Sequence, residues 1–133
     1  MRPAPFFQKG TMSRSSFSAK VFAIYLFILG PVLVIAPNVL LSLFDLPATS
    51  EVWIRVVGLL VANIGVFAWV AAKHDNKHFL AASVYTRCIV FAALTVFAVL
   101  DLAPPVFVVF GVLDLLGGMW TWFALKADAR QVA

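Results

Sequence analysis

The sequence predicts an all-α integral membrane protein, an antiparallel bundle of four transmembrane helices, and three observations carry that prediction. First, the composition is 63% hydrophobic and 12% charged, with a mean hydropathy of +1.01. Soluble domains run roughly 45–50% apolar and about 25% charged. A water-soluble fold of 133 residues has too little interior to hide so much apolar surface, so lipid is the solvent for most of the chain. Second, the chain holds four apolar segments of roughly 20 residues or more, the length a helix needs to cross ~30 Å of hydrocarbon. They show no period-two alternation, and backbone groups in lipid must be satisfied internally, so helices are expected and not barrel strands. Third, the connections "DLPATSE", "KHDNKH" and "DLAP" are short, which makes consecutive helices antiparallel neighbours.

The first span runs from about Val21 to Phe44. Residues 1–18 before it are polar and Ser-rich and are expected to form a mobile cytoplasmic tail, with Met12 as a second candidate start. The apolar run is longer than a signal-peptide core and no small-x-small cleavage site follows it, so it is expected to be retained. Two prolines interrupt it in "LGPVLVIAPNVLLSLFDLP". Each removes a backbone hydrogen bond and crowds the preceding turn, so the helix should kink or break at Pro31 or Pro37. A span ending near Ala36 and a short half-helix from Asn38 to Asp45 at the outer interface would result. Such a piece either lines a binding site, as in transporters, or only shapes the helix for packing.

The second span begins at Val52 or Trp53 and ends near Ala72. Arg55 lies close to its outer end, where its side chain can snorkel to Glu51 or Asp45. Gly58 and Ala62 make a small-xxx-small pair suited to a close helix crossing. Asn63 falls near mid-membrane and is expected to hydrogen-bond a neighbouring helix, or else a ligand.

The third span covers about Phe79 to Leu100 and the fourth about Pro104 to Leu125, followed by a soluble cytoplasmic tail at 127–133. The membrane domain is therefore 19–126. Arg87 stands in the apolar run "AASVYTRCIVFAAL", eight residues or ~12 Å above the start of its helix. Asp114 is ten residues, or ~15 Å, down the next helix. An isolated charge at such depth costs at least ~2.5–3.5 kcal/mol, so the two are expected to pair inside the bundle. That pair is either a clamp that specifies how two helices dock, or a working group for a proton or an anionic ligand. Gly111, Asp114, Gly118 and Thr121 follow three- and four-residue steps and share one small, polar face directed at other helices. Trp120 and Trp122 near the helix end favour the headgroup region.

Charge placement orients the bundle. Arg2, Lys9, Arg14 and Lys20 precede the first span, and the middle loop and the C-terminal tail each carry two cations against one acid. The first and third connections carry only acids. By the positive-inside rule both termini and the middle loop are cytoplasmic. The net charge of +4 is dispersed among helix ends with no basic stripe, which argues against nucleic acid as a partner. Cys88 is the single cysteine, so neither an intramolecular disulfide nor a cysteine metal cluster forms within one chain. His74 and His78 are four apart, but read as a polar loop, and no metal or cofactor is expected.

"LLSLFDLP", "IRVVGLLVANIGVFAWVAAK", "VYTRCIVFAAL" and "FGVLDLLGGMWTWFAL" together resemble small four-span bacterial membrane proteins of the DoxX-like and BphX-like kind, over about residues 20–126. The positions that carry the resemblance are Arg55, Gly58, Arg87, Asp114, Trp120 and Thr121. It brings no catalytic residue. Three functions follow as expectations. The first is a non-enzymatic scaffold or accessory subunit, alone in the bilayer, as a homo-oligomer or in a larger membrane complex. The second is a dimeric proton-coupled small-molecule transporter using Asp114, with Asn63 and Arg87 lining its cavity. The third, and weakest, is an enzyme acting on a lipid-like substrate, because only Asp114 with Tyr85 nearby offers acid–base chemistry. A transporter requires a cavity reaching Asp114. A scaffold requires a dry, paired Arg87 and Asp114.

Overall fold

The computed structural model describes residues 11–133. Among them the chain is all-helical: α1 (Arg14–Ile35), α2 (Pro37–Leu43), α3 (Trp53–Lys73), α4 (Lys77–Val99) and α5 (Phe107–Val132), with no strand. Four of these, α1, α3, α4 and α5, are long and apolar enough to cross a membrane.

The prolines divide the first segment unequally. Helix α1 continues through Pro31 and stops at Ile35, and Ala36 takes a non-helical φ of −137° before Pro37 opens α2. Proline suits a first helical position because its missing N–H has no intrahelical partner there anyway. Helix α1 also begins earlier than its apolar run, at Arg14, capped by the Ser13 hydroxyl on the Ser16 N–H. Residues 14–18, assigned to a tail by their polarity, are thus helical, and Ser15, Ser16 and Ser18 are buried. The first ten positions of that expected tail lie outside the described residues. At the other end α5 runs on to Val132, through most of the expected C-terminal tail.

One device ends three helices. Asp45, Asp75 and Asp101 follow α2, α3 and α4 with φ of 53°, 50° and 55°. At each, paired backbone bonds reach back into the last turn, as in Leu102 N–H to Phe97 O (2.8 Å) and Asp101 N–H to Ala98 O (3.2 Å). This is the left-handed Schellman stop, a place usually held by glycine.

The bundle is small inside and large outside. Ala19, Ala23, Ala68, Ala71 and Ala72 are buried, whereas Ile28, Leu60, Leu116 and Phe123 are exposed. That distribution suits a lipid solvent, where close packing of small residues holds helices together. Helices α1 and α3 share the closest crossing: Leu26 and Phe27 lie against Gly65, Gly30 against Ala62, and Leu33 and Val34 against Gly58. A Cβ on Gly58 would come within 2.7 Å of the Gly30 carbonyl oxygen. Helix α4 packs mainly on α5, and α1 also packs on α5. Although consecutive in sequence, α3 and α4 touch little, because a cavity separates them.

Candidate functional site

A cavity of about 710 Å³ runs along the bundle between α1, α3, α4 and α5. Ala19, Ala68 and Phe79 line one end, and Leu41, Phe44 and Phe107 the other. Exposed Val57 and Ile64 of α3 and exposed Ala82, Thr86 and Val90 of α4 edge it, so its open side lies between these two helices. The wall is apolar except for one patch made by Tyr25, Ser83, Thr86, Arg87 and Asp114. Apolar concavities with a few convergent polar groups are the usual form of a small-molecule site.

Within the patch, Ser83 and Thr86 spend their hydroxyl hydrogens on backbone carbonyls one turn back, Leu80 O at 2.7 Å and Ser83 O at 2.9 Å. Arg87 and Asp114 differ. Arg87 is 4% exposed and its guanidinium carbon sits 3.5 Å from the centre of the Phe22 ring, a cation–π contact. Its Nε is buried with no hydrogen-bond partner. Gly117 and Gly118 of α5 make room for it: a Cβ at Gly117 would lie 2.9 Å from Nη1, and one at Gly118 would lie 3.3 Å from the Arg87 Cβ. Asp114 stands one turn away on α5, half-buried and facing the same cavity.

The expected Arg87–Asp114 ion pair is not made. Among the described residues the ion pairs are Lys77–Asp75 (2.9 Å) and Lys77–Asp128 (2.8 Å). Matched depth brings Arg87 and Asp114 to one cavity, but the arginine lies on the face of Phe22 from α1, a partner that helix depth alone does not reveal.

Several other residues sit differently from the sequence reading. Arg55 reaches neither Glu51 nor Asp45. Its guanidinium donates to the carbonyls of Val34 and, at 3.3 Å, Ile35. The reason is the break before Pro37, which leaves the last carbonyls of α1 in need of donors. Asn63 is exposed, lies outside the cavity and makes no side-chain hydrogen bond among the described residues. Tyr85 is 72% exposed on the outer face of α4, away from Asp114, and Tyr25 of α1 takes the place beside the cavity acid. Asn38 accepts the Thr49 N–H at 2.9 Å, tying α2 to the following loop. Thr121 is fully buried, bonded to Ser18 Oγ (3.1 Å) and Gly117 O (3.1 Å). Gly111 packs against the backbone of Phe91, where a Cβ would stand 3.1 Å from its Cα.

A second polar assembly, which the sequence reading missed, closes one end of the bundle. Asp128 of α5 accepts the N–H groups of Arg14 and Ser15 (both 3.1 Å), the Ser15 hydroxyl (2.5 Å) and the Lys77 ammonium. Its carboxylate thereby supplies the negative charge that the first turn of α1 lacks in its own sequence. Lys77 also donates to Ser13 (2.9 Å) and Ser15 (2.7 Å), while Asp75 accepts from the hydroxyls of Ser13 and Ser16. Burial pushes the Asp75 carboxyl up, but the hydrogen bonds from Ser13 and Ser16 and the Lys77 ammonium outweigh it and hold the group below its ordinary value. The signal for this cluster is the spacing Ser13/Ser16 and Ser15/Ser18, each pair three apart and so on a shared side of the helix, obscured by their apparent membership of a tail.

Compared with family models, curated proteins and solved structures, the chain matches none.

Proposed function

We propose that this chain is a multi-pass bacterial inner-membrane protein that binds a lipophilic small molecule within an antiparallel four-helix bundle, without catalysing a reaction on it. The observation that carries the reading is the apolar cavity reaching Arg87 and Asp114, open between α3 and α4 toward the space that lipid would fill. A purely structural clamp would pair those charges directly, and they are not paired. The antiparallel arrangement is supported by the order of contacts along α1 and α3 and by the short connections. Cytoplasmic placement of both termini rests on the lysines and arginines near Arg14, Lys73 and Lys126, against the acids of the opposite loops. Kinship with the DoxX-like group rests on the sequence pattern alone, and an accessory role in a larger complex fits a ligand-binding subunit.

A labelling experiment tests the reading. A single-chain lipophile bearing a diazirine at its chain terminus is photolysed in membranes containing the protein. Saturable cross-links to cavity residues such as Val90, Leu94 and Phe110 are expected, with only non-saturable labelling of outer-face Ile28 and Leu60. Labelling that never saturates, spread evenly over both faces, would overturn it.

Self-association is the second reading, and Asn63 favours it. An amide exposed near mid-helix among Leu59, Leu60, Val66 and Phe67 is poorly matched to hydrocarbon. Facing a second copy, it would find an amide partner, and such a bond is worth about 0.6–2 kcal/mol in membranes. Asn63→Leu is expected to lower the dimer fraction in bicelles; an unchanged fraction removes this interface.

A further inference from the structure

We infer that the cavity takes an uncharged single-chain amphiphile of the monoacylglycerol type, its head bridging Arg87 and Asp114 and its chain lying toward Leu94, Phe110 and Phe44. This rests on the lipophile-binding reading above and adds the chemistry of the head.

The polar patch has two members whose bonding capacity the protein leaves open. The Arg87 guanidinium carries five N–H donors in a fixed fork; its Nε is sealed by the packing without a partner, so its terminal nitrogens are the donors left for a group in the cavity. The Asp114 carboxylate is an acceptor on the same cavity wall. Asp114 lies three and four residues from Gly117 and Gly118, the two residues against which Arg87 packs. That is ~4.5–6 Å of helix rise, the span of a small polyol or ester head and not of a single atom. A group able to satisfy both must accept from the guanidinium and donate to the carboxylate. An ester carbonyl with neighbouring hydroxyls does both.

Charge selects among heads of similar size. One cation and one anion line the cavity, and their formal charges cancel. A carboxylate head would gain from Arg87 and be repelled by Asp114. An ammonium head would suffer the reverse. A plain alkane would fill the volume and leave both charges without hydrogen bonds, which is costly in an apolar surround. A neutral head with donors and acceptors meets neither penalty.

The rest of the cavity fixes where the chain goes. Beyond the patch, Arg87 to Leu94 on α4 and Asp114 to Phe107 on α5 each span seven residues, or ~10 Å. That stretch is lined only by apolar side chains, among them Leu33, Leu41, Phe44, Val90, Leu94 and Phe110. Entry needs no opening of the bundle ends, because Thr86 and Val90 border the side between α3 and α4.

Competition against the diazirine lipophile, on the full chain in bicelles, separates the possibilities. Four competitors of equal chain length are used: a 1-monoacylglycerol, a fatty acid, an alkylamine and an alkane. The monoacylglycerol is expected to displace the probe from Phe110 and Leu94 at least about tenfold more tightly than the other three, the scale of one hydrogen bond to a charged group. Asp114→Asn should move the preference toward the fatty acid, and Arg87→Gln toward the alkylamine. If the wild type prefers the fatty acid, or ranks the alkane equal to the monoacylglycerol, the bridging head is wrong although the cavity still binds lipophiles. If no competitor displaces the probe because labelling is not saturable, the underlying binding reading fails instead. The wild-type ranking decides the matter even if either variant does not fold.

Discussion

Replacing Asp128 by alanine removes the acceptor on which the end of the bundle converges. In the parent, that side chain is 10% exposed, bonds two backbone N–H groups of α1 and the Ser15 hydroxyl, and sits 2.8 Å from Lys77. Hydrogen bonds to charged groups are worth about 1.5–3 kcal/mol, and stripping one partner from a buried pair costs about 3–5 kcal/mol. Lys77 keeps Asp75 and is 40% exposed, so its share is discounted for solvent. A net loss of about 2–4 kcal/mol follows. Denaturant unfolding in mixed micelles measures it, with hydrogen exchange locating the damage in the first turn of α1, where the Arg14 and Ser15 N–H groups bond Asp128. Asp75→Asn is the comparison: that side chain is 51% exposed and asparagine tolerates its positive φ, so about 0–1 kcal/mol is expected. Equal losses for the two variants, or full protection of the α1 amides in Asp128→Ala, would refute the account of this cluster.

The remaining expectations use the same assay. The Asp75 contribution has a definite sign with pH. Its carboxyl is held below the usual value, so its stabilisation is complete above the ordinary Asp pKa of about 3.9 and fades as pH falls through the lower, folded value. Asp75→Asn should therefore flatten the acid limb of the stability profile. Gly58→Ala should cost about 1–3 kcal/mol by overpacking, since its Cβ would meet backbone atoms of Gly30 and Val34 at 2.7 and 2.9 Å. Gly117→Ala should cost less or stabilise, because its Cβ meets only the movable end of Arg87 and alanine is the better helix former. Asp101→Gly should stabilise by about 1 kcal/mol by relieving a left-handed residue at φ 55°.

What the sequence disclosed, and what it concealed, follows from the range of the forces involved. The four long helices were legible because apolar length is a property of each segment alone, and the stop before Pro37 because proline acts locally. Arg87 and Asp114 were found because charges stand out in an apolar run, and their depths follow from helix rise. Their orientation was not legible, since it depends on Phe22 from a helix distant in sequence. Arg55 was misdirected for a similar reason: the donors wanted by Val34 and Ile35 arise from a backbone break, and acids nearby in sequence looked like the simpler partners. Asp128 and the serines resemble tails in sequence because polarity near a terminus looks like solvent exposure, whereas in the fold each polar group supplies what another lacks. Tyr25 of the first span lines the cavity with Asp114 and Tyr85 does not, because closeness to Arg87 in sequence is no guide to closeness to Asp114 across helices.

The claim that the cavity is a lipophile site is tested most directly by native mass spectrometry of the protein taken from membranes into mild detergent. Three chains are compared: the parent, Val90→Trp, which places an indole at the edge of the cavity's open side and obstructs entry, and Ile89→Trp, which adds the same indole at an outer position that is 65% exposed. The account predicts one single-chain lipophile retained per parent chain and per Ile89→Trp chain, and none on folded Val90→Trp. Equal retention by all three, or a parent that carries no such adduct even after incubation with 1-monoacylglycerol, would contradict it.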